Sequence, residues 1–157
     1  MKEKILEAFR ELGFKLEEEE GMGYCFNYEG LNLLYMYNEN DEEFLNIALP
    51  GIVEVEDDKM LQICALLEKI NSTLKYIKAY MLGNSVWLFY ERELFGEEDL
   101  MTVISRMILH LEAGLVFARK AMAEIEETMT NGSSDDDTTE SAEEIATEEI
   151  TNDDGNE

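Results

Sequence analysis

The chain has 157 residues, 12 Lys and Arg against 37 Asp and Glu, and a formal net charge of -25. Its length suits one domain with one core. The charge argues against a nucleic-acid backbone binder, which must neutralise phosphates with Lys and Arg, and equally against docking on an anionic membrane surface.

Residues 2–12 read as a helix, with Ile5, Ala8, Phe9 and Leu12 at 3–4 spacing and Gly13 placed to end it. A strand over 14–18 follows, then a turn at Gly21, Met22 and Gly23, and a second strand over 24–28. Glu29 and Gly30 make a tight hairpin turn into a third strand, 31–37. A fourth strand runs over 43–49, with Phe44, Asn46 and Ala48 on one face and Leu45, Ile47 and Leu49 on the other. The only proline, Pro50, suits an edge or a bulge near its end, after which 52–55 continue the strand. Asp57 is placed to cap a second helix reaching Asn71, whose apolar stripe is Met60, Ile63, Cys64, Leu67 and Ile70. In a fifth strand, 75–81, Tyr76, Lys78 and Tyr80 alternate with Ile77, Ala79 and Met81. Gly83 and Asn84 turn the chain into a sixth strand, 86–94, which carries the only Trp, Trp87.

A long last helix opens at Gly96 and runs to about Thr128. Its stripe continues through Met122 and Ile125, further than a sheet of this size reaches, so these two call for another cover. Gly114 is a candidate for a bend or a close contact. The order αββββαββα gives an α+β fold: an antiparallel sheet of five to six strands with helices packed against it.

Composition changes near Met129. All 12 basic residues and all aromatics precede it, and the residues beyond carry eleven acids and no base. Residues 1–129 are therefore expected to be the single folded domain, and 130–157 an acidic disordered tail. Within the tail, Ala142, Ile145, Ala146 and Ile150 share one side of a transient helix. The N-terminus lacks a secretory h-region, and no apolar run approaches the roughly 20 residues of a membrane span. Cys25 and Cys64 lie in apolar segments with no metal or redox spacing, and read as buried, reduced thiols. A cytoplasmic location follows as an expectation.

A catalytic set is not legible. His110 is the only histidine, with Arg106, Met107, Ala113 and Gly114 at its helical neighbour positions, so a metal-binding pair is missing. Gly21, Met22 and Gly23 join two strands and lack the third glycine of a dinucleotide fingerprint. No cofactor or metal is expected. The surface of most interest is aromatic: Tyr24, Phe26 and Tyr28 share one face of their strand, and Tyr35 and Tyr37 share one face of theirs. A face of this kind left uncovered by helices would suit a partner.

The stretch Asn71-Ser72-Thr73-Leu74-Lys75-Tyr76-Ile77-Lys78-Ala79-Tyr80 resembles the YbjN-like family of proposed bacterial sensory transduction regulators. So do Ser85-Val86-Trp87-Leu88-Phe89-Tyr90-Glu91-Arg92-Glu93-Leu94 and the helix start at Glu97-Glu98-Asp99-Leu100. The family is similar in fold to the small acidic type III secretion chaperones. That likeness implies one strand fewer, with 14–18 and 24–28 as one interrupted strand. It also implies dimers that bind an extended segment of another protein, and it carries over no catalytic residue. The expected function is a non-enzymatic, protein-binding regulatory module, a homodimer, with Tyr24, Phe26, Tyr28, Tyr35, Tyr37, Met122 and Ile125 as candidate contacts. The alternative is a ligand sensor or enzyme with a pocket between sheet and helices, lined by Tyr24, Tyr35, Cys64 and His110.

Overall fold

The computed structural model describes residues 1–132. The expected tail falls almost wholly on residues 133–157, outside the described residues.

Helix α1 (Lys2–Glu11) buries Ile5, Leu6, Ala8 and Phe9. Gly13 ends it in the left-handed region at φ +87, which costs a glycine little. The N–H of Gly13 then donates to the Arg10 carbonyl at 2.9 Å, and that of Phe14 to the Phe9 carbonyl at 3.0 Å. This is a Schellman closure, completed by the edge-on contact of the Phe9 and Phe14 rings at 6.1 Å.

Six strands follow that opening: β1 (Glu17–Glu19), β2 (Gly23–Tyr28), β3 (Leu31–Met36), β4 (Phe44–Glu54), β5 (Ile77–Leu82) and β6 (Ser85–Glu93). They form one antiparallel sheet in the order β1-β2-β3-β4-β6-β5. The expected α+β architecture is present, with six strands. β1 is shorter than expected, and it pairs with β2 (Glu17 opposite Cys25) instead of continuing it. The hairpin turn at Glu29 and Gly30 has positive φ at both residues, the twist that matches paired strands. The register of β4 on β6 shifts between Leu49 and Val53, so Pro50 lies in a bulge where its missing N–H removes no ladder bond.

Helix α2 (Met60–Thr73) buries Ile63, Leu66 and Ile70, each worth about 1.5–3 kcal/mol of transfer free energy. Two expectations for it change. Asp57 lies inside a 3-10 turn (Asp57–Lys59), and no side chain caps the helix. Cys64 is exposed, and Cys25 only half-buried. Only one side of α2 meets the core.

Helix α3 (Leu100–Gly132) is capped by Asp99, whose carboxylate accepts from the Thr102 hydroxyl at 2.7 Å and from the Thr102 N–H at 3.5 Å. By length and composition α3 is apolar enough to cross a membrane, unlike the expectation that no run would be. Its apolar stripe packs on the sheet: Ile104, Met107, Ile108, Leu111, Gly114, Leu115, Ala118 and Ala121 are buried. Gly114 makes the close contact anticipated for it. A Cβ there would stand 3.3 Å from Leu88 Cδ1.

Candidate functional site

All three helices lie on one face of the sheet. That face carries Phe26, Leu33, Tyr35, Leu45, Ile47, Val86, Leu88 and Tyr90, buried with the stripes of α1, α2 and α3 in one core. The Phe9 ring of α1 packs at a tilt against Phe26 and Tyr35, its centroid 4.8 and 5.6 Å from theirs. The aromatic strand face is therefore the covered one. Phe26 and Tyr35, expected as candidates for a free surface, are 4% and 1% exposed. Period-2 alternation grouped these residues correctly, but α1 claims their face. Burial in that core pushes the Tyr35 hydroxyl far above its ordinary range.

Tyr24, Tyr28 and Tyr37 line the margin of the same core and are half-buried. Tyr24 stacks on Tyr35 at 6.1 Å. The Lys2 ammonium lies over the Tyr37 ring, 4.4 Å from its centroid. The Tyr37 hydroxyl donates to Glu42 at 2.6 Å, and this bond raises its pKa. Met122 and Ile125 also pack against the core, half-buried. The Lys69–Glu124 pair ties α2 to α3 beside them at 2.7 Å. The cover they called for is thus supplied within the chain.

The four residues of the expected pocket do not converge. Cys64 is exposed on α2. His110 meets Tyr76 and Tyr90 edge-on, at 5.5 and 5.7 Å. Ile47 stands between Tyr35 and Tyr90 in the sheet, and Tyr24 lies one strand further out. Tyr76 reaches the helix side because its φ of +68 takes it out of the strand's alternation, onto the Tyr90 ring. Among the described residues, no group of three or more His, Cys, Asp or Glu is placed to hold a metal ion.

The opposite face of the sheet has no helix over it among the described residues. The register runs one row across it: Glu17, Cys25, Leu34, Ala48, Phe89 and Lys78. Leu34, Ala48 and Phe89 form a second, small apolar cluster with Cys25, Met36 and Trp87 around it. Its cover is aromatic and comes from the same face. Tyr80 stacks flat on Phe89 at 4.1 Å, and Trp87 lies parallel at 6.0 Å. Phe44 and Tyr80 leave 43% and 42% of their surface to solvent at its two ends. Glu19, Glu91 and Glu93 share this face with Glu17. Lys78, its cation, pairs with Glu91.

This three-helix, six-strand arrangement superimposes on the crystal structure of YbjN from E. coli, a proposed transcription regulator. The TM-score is 0.59, with 13% identity, 76% of this chain and 92% of that one. The chain has a YbjN-like fold. An uncharacterised protein from Methanothermobacter thermautotrophicus also matches, at TM-score 0.50 and 18% identity, over 81% of this chain and 97% of that one. No family model matches the sequence. No curated protein matches it either. At these identities the likeness to YbjN is one of fold.

The signal that marks the uncovered face was present in the strands. Asn27, Asn32, Asn46, Lys78 and Glu91 all project from it, one polar residue or more in each of β2 to β6. Polar residues at matching register positions mark the solvent side of an antiparallel sheet.

Proposed function

We propose that this protein is a non-enzymatic regulatory module of the YbjN-like family that binds an extended, basic segment of another protein on its uncovered sheet face. The observation that supports this is the face itself. Its apolar strip runs from Phe44 past Met36 and Phe89 to Tyr80, and four carboxylates flank it. An extended segment presents alternate side chains to a sheet, and Lys or Arg among them would meet the carboxylates. The regulatory description of the E. coli neighbour fits this reading if regulation runs through protein contact. A chain of charge -25 is repelled by DNA phosphates. The module acts in the cytoplasm, and as a homodimer in the manner of the chaperones it resembles.

Trp87, the only tryptophan, lies on this face and reports on it. Peptides selected from a random display library should combine basic and apolar residues and change Trp87 emission. Phe44→Asp with Tyr80→Asp should weaken them about tenfold or more, as hot-spot aromatics do. Peptides that bind the double variant equally well, or an empty selection, would sink the reading. Sedimentation at about 100 µM tests the homodimer, because mass action populates a dimer of ordinary affinity there. A monomer at that concentration removes that part alone.

A further inference from the structure

Helix α3 has a second face. The stripe that it buries against the sheet turns Arg106, Leu109, Ala113, Val116, Lys120 and Ala123 to the outer side, at alternating spacings of three and four. All six are exposed. Leu109 and Val116 leave 52% and 65% of their surface to solvent, with Ala113 between them. Apolar residues at this spacing make a helix face that packs on another helix. The charge here is also unlike that of the rest of the chain. Over residues 100–123 the helix carries Arg106, Arg119 and Lys120 against a single acid, Glu112. Among the described residues, no ion pair engages any of these three cations. Glu124, one turn beyond Lys120, is held by Lys69, and Lys120 adds only a lesser pull on it. A chain of net charge -25 thus keeps an apolar line bordered by cations along one helix.

We propose that this face is covered by the chain's own segment 140–150, which docks on it as a helix. The sequence of that segment is the complement of the face. Ala142, Ile145, Ala146 and Ile150 share one side at helical spacing, bordered by Glu143, Glu144, Glu148 and Glu149, with no base among them. The length fits as well. Lys120 lies about 18 Å back along the axis from Gly132, at 1.5 Å per residue. Residues 133–139 span at most about 25 Å, so residue 140 can reach Lys120. A helix laid back along α3 from there brings Ile145 and Ala146 over Val116, and Ile150 over Ala113 and Leu109. Glu143 and Glu144 then lie beside Arg119 and Lys120, and Asp154 falls level with Arg106. A tether of this length supplies an effective concentration on the order of millimolar, so contacts that are weak in isolation suffice. A second copy is the poorer occupant, because it would set the same cations against each other. The proposal concerns the helix side of the molecule and is independent of the reading of the uncovered sheet face.

The test is paramagnetic broadening of amide NMR signals in the full-length chain. A nitroxide is placed on Thr147→Cys in a Cys25→Ala, Cys64→Ser background. The amides of Ala113, Val116 and Lys120 should broaden, and those of Trp87 and Phe89, on the opposite side of the sheet, should not. Arg119→Glu with Lys120→Glu should abolish the local broadening. Adding Glu143→Lys with Glu144→Lys to that variant should restore it, which a merely structural role for the cations would not do. Both cations are exposed, so the charge reversal leaves the fold intact, and the amide spectrum itself reports that.

A mixed sample separates one copy from two. Isotope-labelled protein without the nitroxide is combined with unlabelled protein that carries it. Absence of broadening in the mixture supports docking within one chain. The same broadening in the mixture would put the segment on a second copy and overturn the proposal. So would broadening centred on Trp87 and Phe89, weak broadening spread evenly over the domain, or a charge swap that fails to restore the contact. An empty peptide selection on the sheet face leaves each of these outcomes unchanged, so the two readings fail separately.

Discussion

The side-chain amide of Asn71 closes on the main chain of Ala79: Nδ2 donates to the Ala79 carbonyl at 2.9 Å, and Oδ1 accepts the Ala79 N–H at 2.8 Å. One residue at the end of α2 thereby does what a further strand would do at the outer edge of β5. Edge strands are sites of unwanted pairing, and a side chain that occupies the edge groups blunts them. The resemblance to the YbjN-like family began at this asparagine, and the structure supplies the reason a helix end and a strand travel together there.

Asn71→Ala should therefore cost about 1–3 kcal/mol, since both edge groups of Ala79 lose their partner. Urea denaturation measures it. Asn71→Asp keeps the acceptor and loses the donor, and should fall between. A variant as stable as the native chain would show that water replaces the amide without cost.

Gly23 and Gly21 make a contrast. Both have positive φ, at +142 and +78. A Cβ on Gly23 would lie 2.0 Å from the Tyr35 carbonyl oxygen, whereas one on Gly21 meets nothing within 4 Å. Gly21→Ala should cost about 1–2 kcal/mol in backbone strain alone. Gly23→Ala should cost about 3 kcal/mol and displace β2 from β3, because main chain cannot yield as a side chain does. Thermal unfolding of the two variants decides the order.

Gly114 is a milder case. Alanine gains about 1 kcal/mol of helix propensity over glycine. Against that, its Cβ would press on Leu88 Cδ1 at 3.3 Å, a flexible tip. Gly114→Ala should come within about 1 kcal/mol of the native protein, and Gly114→Val should lose about 1–3 kcal/mol by overpacking. Chemical denaturation of both checks the sign.

The turn before α3 responds to acid. Glu98 accepts the N–H groups of Phe95 and Gly96 at 2.8 and 2.9 Å, and the Phe95 bond leads in lowering its pKa from the ordinary 4.5. Asp99 is lowered from 3.8, chiefly by the Thr102 hydroxyl. A carboxylate depressed in the folded state contributes its full stabilisation above its unfolded pKa and loses it as the pH falls through the folded one. Glu98→Gln should therefore be less stable than the native chain near pH 7, and the gap should close below about pH 4. Urea midpoints across that range measure it. A gap that persists in acid would show that the effect is not ionic.

Much of the fold was legible because it rests on local rules. The apolar spacing of Ile5, Ala8 and Phe9, the glycine after them, the turn at Glu29 and Gly30, and the polar alternation around Asn46 each name an element from a few neighbouring residues. The candidate site was not legible in this way. Leu33, Leu34 and Tyr35 are all buried, so β3 is apolar on both faces and alternation alone cannot tell which one the helices take. Phe9 decides it by packing against Phe26 and Tyr35, a contact between residues 17 and 26 positions apart. The same holds for Cys64, exposed because α2 meets the core on one side, and for Tyr76, turned to the helix side by a positive φ. By itself the sequence determined which residues could share a face, because side-chain direction follows the local backbone repeat. Only the tertiary structure decided which face is core and which is left uncovered, because that choice is made by helices packing across the sheet.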